Sequence, residues 1–130
     1  MPAYLLGRLT IALLWIYQGL MPKLLGPHPD ERVLNMAMGL SADAADQFSR
    51  AAGLGELLMG LAVLAFWRHR WPLVLTAVAM IGLLVIVAIA APHFLLGAFS
   101  PVASNLPTLA LALICLQMHG AVRASGDRAG

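Results

Sequence analysis

Two ionisable side chains stand where a chain this apolar has little room for them. Glu56 is the one charge in the run Ala51 to Trp67, AAGLGELLMGLAVLAFW, and Lys23 follows Gly19-Leu20-Met21-Pro22 at the end of the first apolar stretch. A carboxylate at membrane depth is costly unless it is paired, neutralised or wetted, so an acid there marks a functional site by default. Its chemistry would be hydrogen bonding or proton transfer. Beside a base it also forms an ion pair that relieves the burial cost of both charges.

The spacing sets which residues share a face. On the first helix Arg8, Trp15, Gly19 and Lys23 fall at steps of seven, four and four, which is one stripe at about 100° per residue. Its two basic ends lie roughly 22 Å apart at the helical rise. Gly19 lets a neighbouring backbone come close. Arg8 reads as a snorkelling anchor as readily as a functional group, whereas Lys23 has acids near it. On the second helix Gly53, Glu56, Gly60 and Val63 share a face. The two glycines point that face, and Glu56 with it, into the protein. Glu56 lies about 9 Å below Arg50 by helix rise. Lys23 sits at the same end of the first helix, so a Lys23–Glu56 pair is expected. The connections bring Tyr17, Gln18, His28, Asp30, Glu31, His93 and Asn105 toward the same outer mouth. The pair is either a site or a strut that holds two helices together.

Other chemistries find no pattern. No HxxxH or ExxH falls on one helix face, so no metal site is expected. Haem ligation by paired histidines is unsupported, no histidine lying deep within a span. No nucleophile–base constellation and no phosphate-binding glycine loop occurs. Cys115 is the only cysteine, which excludes an internal disulfide and reads as a small hydrophobe.

The elements that must position these residues are membrane helices. The 130 residues are 61% hydrophobic and 11% charged, against about 45–50% and 25% for soluble domains. Mean hydropathy is +0.85. The net charge of +2 comes from scattered basic residues, which excludes a nucleic-acid surface. A span needs about 20 mainly apolar residues. Stretches at about 4–25, 50–67, 72–91 and 101–122 qualify, and the first, lacking a small-residue cleavage site, reads as a retained span. Pro27-His28-Pro29 breaks the chain after the first. Asp30-Glu31-Arg32 then opens a short amphipathic segment that ends at Gly39, and Ser41 reads as an N-cap. Arg68-His69-Arg70 between Trp67 and Trp71 is an interfacial turn. PHFLLGAFS, residues 92–100, reads as a re-entrant or interfacial segment. The expected fold is therefore all-α: a four-transmembrane-helix bundle forming a single membrane domain over 1–130. A short amphipathic interfacial helix follows the first span, and 123–130 is a flexible tail. Five basic residues on the side of the termini against three on the other place both termini inside.

LTIALLWIYQGLMPKLLGPHPDE, AAGLGELLMGLAVL and APHFLLGAFSPVASNLPTLALALI resemble the DoxX-like family of small four-helix membrane proteins over nearly the whole chain. The most specific pieces are Trp15…Gly19…Pro22-Lys23, Pro29-Asp30-Glu31, Gly53-x-x-Glu56 and Pro101…Asn105. The resemblance implies an accessory subunit of a redox or quinone-linked system in a bacterial cytoplasmic membrane, with a polar site near the outer face. The site residues expected are Lys23, Glu56, Glu31, Asn105, Trp15, Gln18 and His93, with Arg8, Gly19, Gly53 and Gly60 structural or anchoring. Quinone is the cofactor this reading suggests. The partners would be the lipid bilayer and other membrane or redox subunits or further copies of the chain, and not nucleic acid. The alternatives are an assembly subunit without chemistry and a carrier of small solutes or lipid.

Overall fold

The computed structural model describes residues 1–26, 28–97 and 101–128, without the side chains of Pro22 and Pro101. Parts of three expected segments thus lie outside the described residues: Pro27 of the helix-breaking motif, residues 98–100 of the PHFLLGAFS connection, and residues 129–130 of the tail. The described chain is all-helical and has no strand. Its α-helices are α1 (Pro2–Gly19), α2 (Pro29–Ala37), α3 (Ala42–Ala65), α4 (Trp71–Ala90) and α5 (Pro101–Arg128). A π-helical turn, Leu20–Leu24, extends α1, and a 3-10 turn, Pro92–Leu96, follows α4.

Local sequence explains the boundaries. Proline stands in the first turn of α1, α2 and α4, where its missing N–H has no intrahelical partner to lose. Pro22 falls at the far end of the first helix, where the same lack would break the ladder. There the helix widens, and Leu25 N–H donates to Leu20 O at 2.9 Å, five residues back. Ser41 caps α3 by accepting from Ala44 N–H at 3.3 Å, with Asp43 in the first turn. The helix then runs unbroken to Ala65. Gly39, at φ +94°, supplies the left-handed residue that turns the chain from α2 into α3.

Among the described residues, three helices are long and apolar enough to cross a membrane: α3, α4 and the portion of α5 from Val102 to Arg128. The fourth expected span, α1, is not among them. Its 18 residues are diluted by Arg8, Tyr17 and Gln18. The segment expected as a flexible tail is helical through Arg128. Ala121, Arg123 and Ala124 are strong helix formers, and Ser125 Oγ donates back to Val122 O at 2.9 Å.

The long helices pack in the order α3, α1, α5, α4, while α3 and α4 touch sparingly. Ile11, Val63, Leu73, Met80 and Cys115 fill the core. Leucines 5, 9 and 13 of α1, 54, 58 and 61 of α3, and Val78, Ile81 and Ile89 of α4 are exposed, which suits a lipid surround. The helix α2 packs on the first turns of α3 and leaves Val33, Met36 and Met38 exposed. The 3-10 turn rests on α4 and α5.

α1 and α3 meet at glycines. A Cβ on Gly19 would lie 2.6 Å from Gly53 O, and one on Gly60 would lie 2.8 Å from Ala12 O. A Cβ on Gly55 would meet nothing within 4 Å. Gly19→Ala is therefore expected to cost about 1–3 kcal/mol by overpacking. Gly55→Ala is expected to be neutral or to gain up to about 1 kcal/mol of helix propensity. Thermal unfolding in detergent checks this, and equal midpoints for the two variants would refute the close-approach reading.

Candidate functional site

Where α1 ends and α2 begins, Lys23 Nζ forms an ion pair with Glu56 Oε1 and lies 3.3 Å from Glu31 Oε1. Lys23 is 8% and Glu56 9% exposed. The glycines put them there. Gly53 sits against Lys23 Cβ, so the lysine stem passes where a side chain on α3 would stand.

Glu31 comes from α2 and needs its own fixing. Its Oε2 accepts from Ser49 Oγ at 3.1 Å. Ser49 in turn accepts from Asn35 Nδ2 at 3.0 Å, and Asn35 also donates to Ala45 O at 3.3 Å. Further out, Arg32 Nε donates to Asp46 Oδ1 at 2.9 Å and a second bond joins Arg32 Nη2 to Oδ2. The Asp46 carboxylate, first by hydrogen bond and then by charge, holds the Arg32 guanidinium above its ordinary pKa. These contacts clamp α2 to α3 and so place Glu31.

One ammonium thus faces two carboxylates, and Glu56 Oε2 is buried with no partner among the described residues. A cavity of about 510 Å³ opens onto the group, bordered by Gln18, His28, Asp30 and Asn105 on its polar side and by Leu83 and Val87 on its apolar side. A second, mostly apolar cleft of about 400 Å³ lies between α3 and α4. It shares Glu56 and Leu83 with the first and reaches Trp15. The arrangement offers a hydrogen-bond donor, a spare carboxylate oxygen and an apolar wall within one space.

Of the residues expected at the site, Lys23, Glu31, Glu56, Gln18 and Asn105 come together. Trp15 stands deeper. It lines only the cleft, and its Nε1 donates to Thr76 Oγ1 at 3.0 Å. His93 does not join them. The 3-10 turn after Pro92 leaves it exposed beside Phe94, ring centroids 4.5 Å apart. Among the described residues, no three His, Cys, Asp or Glu gather as a metal would need.

Arg8 does not snorkel. It is 2% exposed and spends its N–H groups on the C-terminal end of α3. Nε donates to Val63 O at 3.1 Å, Nη2 to Phe66 O at 3.1 Å, and Nη1 to Trp67 O at 2.8 Å, His69 O at 3.1 Å and Tyr4 Oη at 2.6 Å. Helix ends leave carbonyls unpaired and carry partial negative charge. A buried guanidinium answers both. These contacts are those of a helix cap.

A profile of one family matches residues 12–113. The chain belongs to the DoxX-like family. No curated protein and no solved structure matches it. In this DoxX-like chain the matched stretch contains Lys23, Glu31, Glu56 and Asn105, while Tyr4, Arg8 and His119 lie outside it.

Asn35, Ser49, Thr76 and His119 are also buried and are not among the residues expected from the sequence. The signal was present for two of them. Ser49 continues the Gly53, Glu56, Gly60, Val63 stripe by one more step of four. His119 ends a stripe of Asn105, Thr108, Ala112 and Cys115 on α5, all of which are buried.

Removing one partner of a buried pair strands the other charge, at about 3–5 kcal/mol. Lys23→Met alone is therefore expected to destabilise the protein more than Lys23→Met combined with Glu56→Gln and Glu31→Gln. Unfolding midpoints of the single and triple variants measure this. A triple variant worse than the single would show that the carboxylates do not depend on the lysine.

Proposed function

We propose that this DoxX-like membrane protein is an accessory subunit of a quinone-linked redox system, with the Lys23–Glu31–Glu56 cavity receiving the head group. The observation that carries the reading is the unpartnered Glu56 oxygen, buried beside a lysine at the floor of an open cavity. A buried polar atom without a partner is rare in a finished structure and invites a ligand.

The residues fit such a group. Lys23 donates a hydrogen bond to a ring carbonyl. Glu56 Oε2 accepts from a hydroxyl or holds the proton that accompanies an electron. Gln18 and Asn105 supply further donors at the rim. Leu83 continues into the apolar cleft between α3 and α4, which takes a hydrocarbon tail. The quinone itself would supply the two-electron, two-proton redox chemistry, and the electron donor would be a separate protein.

The same reading makes α1 the fourth span. The 18 residues of α1 and the five of the π-helical turn reach roughly 30 Å together, the thickness of the hydrocarbon core. α1 is packed between α3 and α5, so its cations face protein. Both termini then share the cytoplasmic side of a bacterial inner membrane, and the cavity faces out. Other redox subunits or further copies of the chain would complete the assembly.

The close approach of Gly19 and Gly53 favours one second reading, that the charge pair is a strut in a scaffold subunit. Native mass spectrometry from mild detergent separates the two. Wild-type protein is expected to retain a quinone, and Glu56→Gln to lose it at least about tenfold, with the partner's electron transfer falling in parallel. A wild type without quinone, together with a fully active Glu56→Gln variant, sinks the redox reading in favour of the strut.

A further inference from the structure

The opposite end of the molecule holds a larger cavity that the reading above leaves unused. It is about 740 Å³, between the first turn of α1, the α3–α4 turn and the last turns of α5. Tyr4, Arg68, His69, His119 and Arg123 line it, and Asp127 is the one acid among its described lining residues.

Charge at its floor is unbalanced. Among the described residues every partner of Arg8 is neutral: four backbone carbonyls and the Tyr4 hydroxyl. Among the described residues no carboxylate pairs with it. The end of α3 offers about half an elementary negative charge, so a positive remainder stays under the cavity. Arg68, stacked over the Trp67 ring at 5.0 Å, and Arg123 add to it from the rim.

His119 is the second, independent observation. It is 2% exposed and its Nε2 is buried without a partner among the described residues. Its Nδ1 shares a hydrogen bond of 2.8 Å with Tyr4 Oη. The Tyr4 oxygen already accepts from Arg8, and it has one proton to give. If that proton goes to His119 Nδ1, the neutral ring carries its own proton on Nε2. If it goes to Trp67 O, 2.9 Å away, Nδ1–H donates to Tyr4 instead. Nε2 is then a bare lone pair, or in the charged ring again an N–H. Two of the three states leave a buried donor with no acceptor among the described residues, on a side chain that lines the cavity.

We propose that this cavity binds a phosphate group, received by His119 Nε2–H at the floor and by Arg68 and Arg123 at the rim. The phosphate can belong to an anionic lipid or to a soluble phosphate. The Trp67 ring and Val122 beside the basic groups make the surface that a lipid headgroup meets at an interface, so the lipid is the favoured source. Asp127 opposes binding and sets its strength.

The test uses the full chain in mild detergent, with phosphatidic acid or phosphatidylcholine added and retained lipid read by native mass spectrometry. Wild-type protein should retain phosphatidic acid over phosphatidylcholine. Arg68→Gln with Arg123→Gln should weaken that retention roughly thirtyfold, the usual worth of two basic residues at a charged lipid surface. Asp127→Asn should strengthen it. His119→Phe, which keeps a ring at the position, should weaken it with both arginines in place. Inorganic phosphate that displaces the lipid identifies a soluble source for the same site, and failure to displace it identifies the lipid. Equal retention of the two lipids by wild type overturns the proposal. So does an equal loss from Arg50→Gln, an exposed arginine outside the cavity. Glu56→Gln should leave this binding unchanged, so the outcome is independent of the quinone reading.

Discussion

Where Gly19 faces Gly53 and Gly60 faces Ala12, the backbones of α1 and α3 lie so close that a Cβ on either glycine would overlap the other helix. The rest of the structure follows from this contact. It brings Lys23 onto Glu56 at one end and lays Arg8 under the last carbonyls of α3 at the other. Two cations spaced along one helix thus find their partners on one neighbour. Without the glycines the helices would stand further apart. Lys23 would then lose direct contact with Glu56, and Arg8 would lose the carbonyls it caps. In a low-dielectric interior that separation is costly for both cations.

The parts of this arrangement that could be read from sequence are those that repeat at helical spacing. Arg8, Trp15, Gly19 and Lys23 all prove buried, as do Gly53, Glu56, Gly60 and Val63. The N-cap at Ser41 and the short helix after Pro29 are equally local signals, and both are present. Long-range partners were harder. Asn35 and Ser49 hold Glu31 through bonds between α2 and α3, and no periodicity within α2 announces them. Topology alone puts His93 at the mouth, but the geometry of the five-residue turn decides its direction. Tyr4 and His119 are 115 residues apart, so their meeting depends on how α1 and α5 pack. α1 reads as a span from its mainly apolar residues, but with Arg8, Tyr17 and Gln18 in it the helix is not among the candidate membrane spans of the described residues.

The two ends solve the problem of buried charge differently. At the Lys23 end the answer is opposite charge, with one acid more than needed. At the Arg8 end it is carbonyl dipoles, with part of a positive charge left over. Each end therefore departs from neutrality in its own direction, and each departure borders a cavity. Between them Trp15 and Thr76 bond to each other, and Thr76 Oγ1 donates in turn to Pro72 O at 2.8 Å. The middle of the protein is thus satisfied internally, and the unmet polar demand is pushed to the two ends.

The pairing of Lys23 with Glu56 across 33 residues of chain also bears on biosynthesis. Lys23 leaves the ribosome well before Glu56 exists. During that interval α1 carries two cations and neither the acid nor the helix end that answers them. It reaches its packed position only once α3 has been made and can dock.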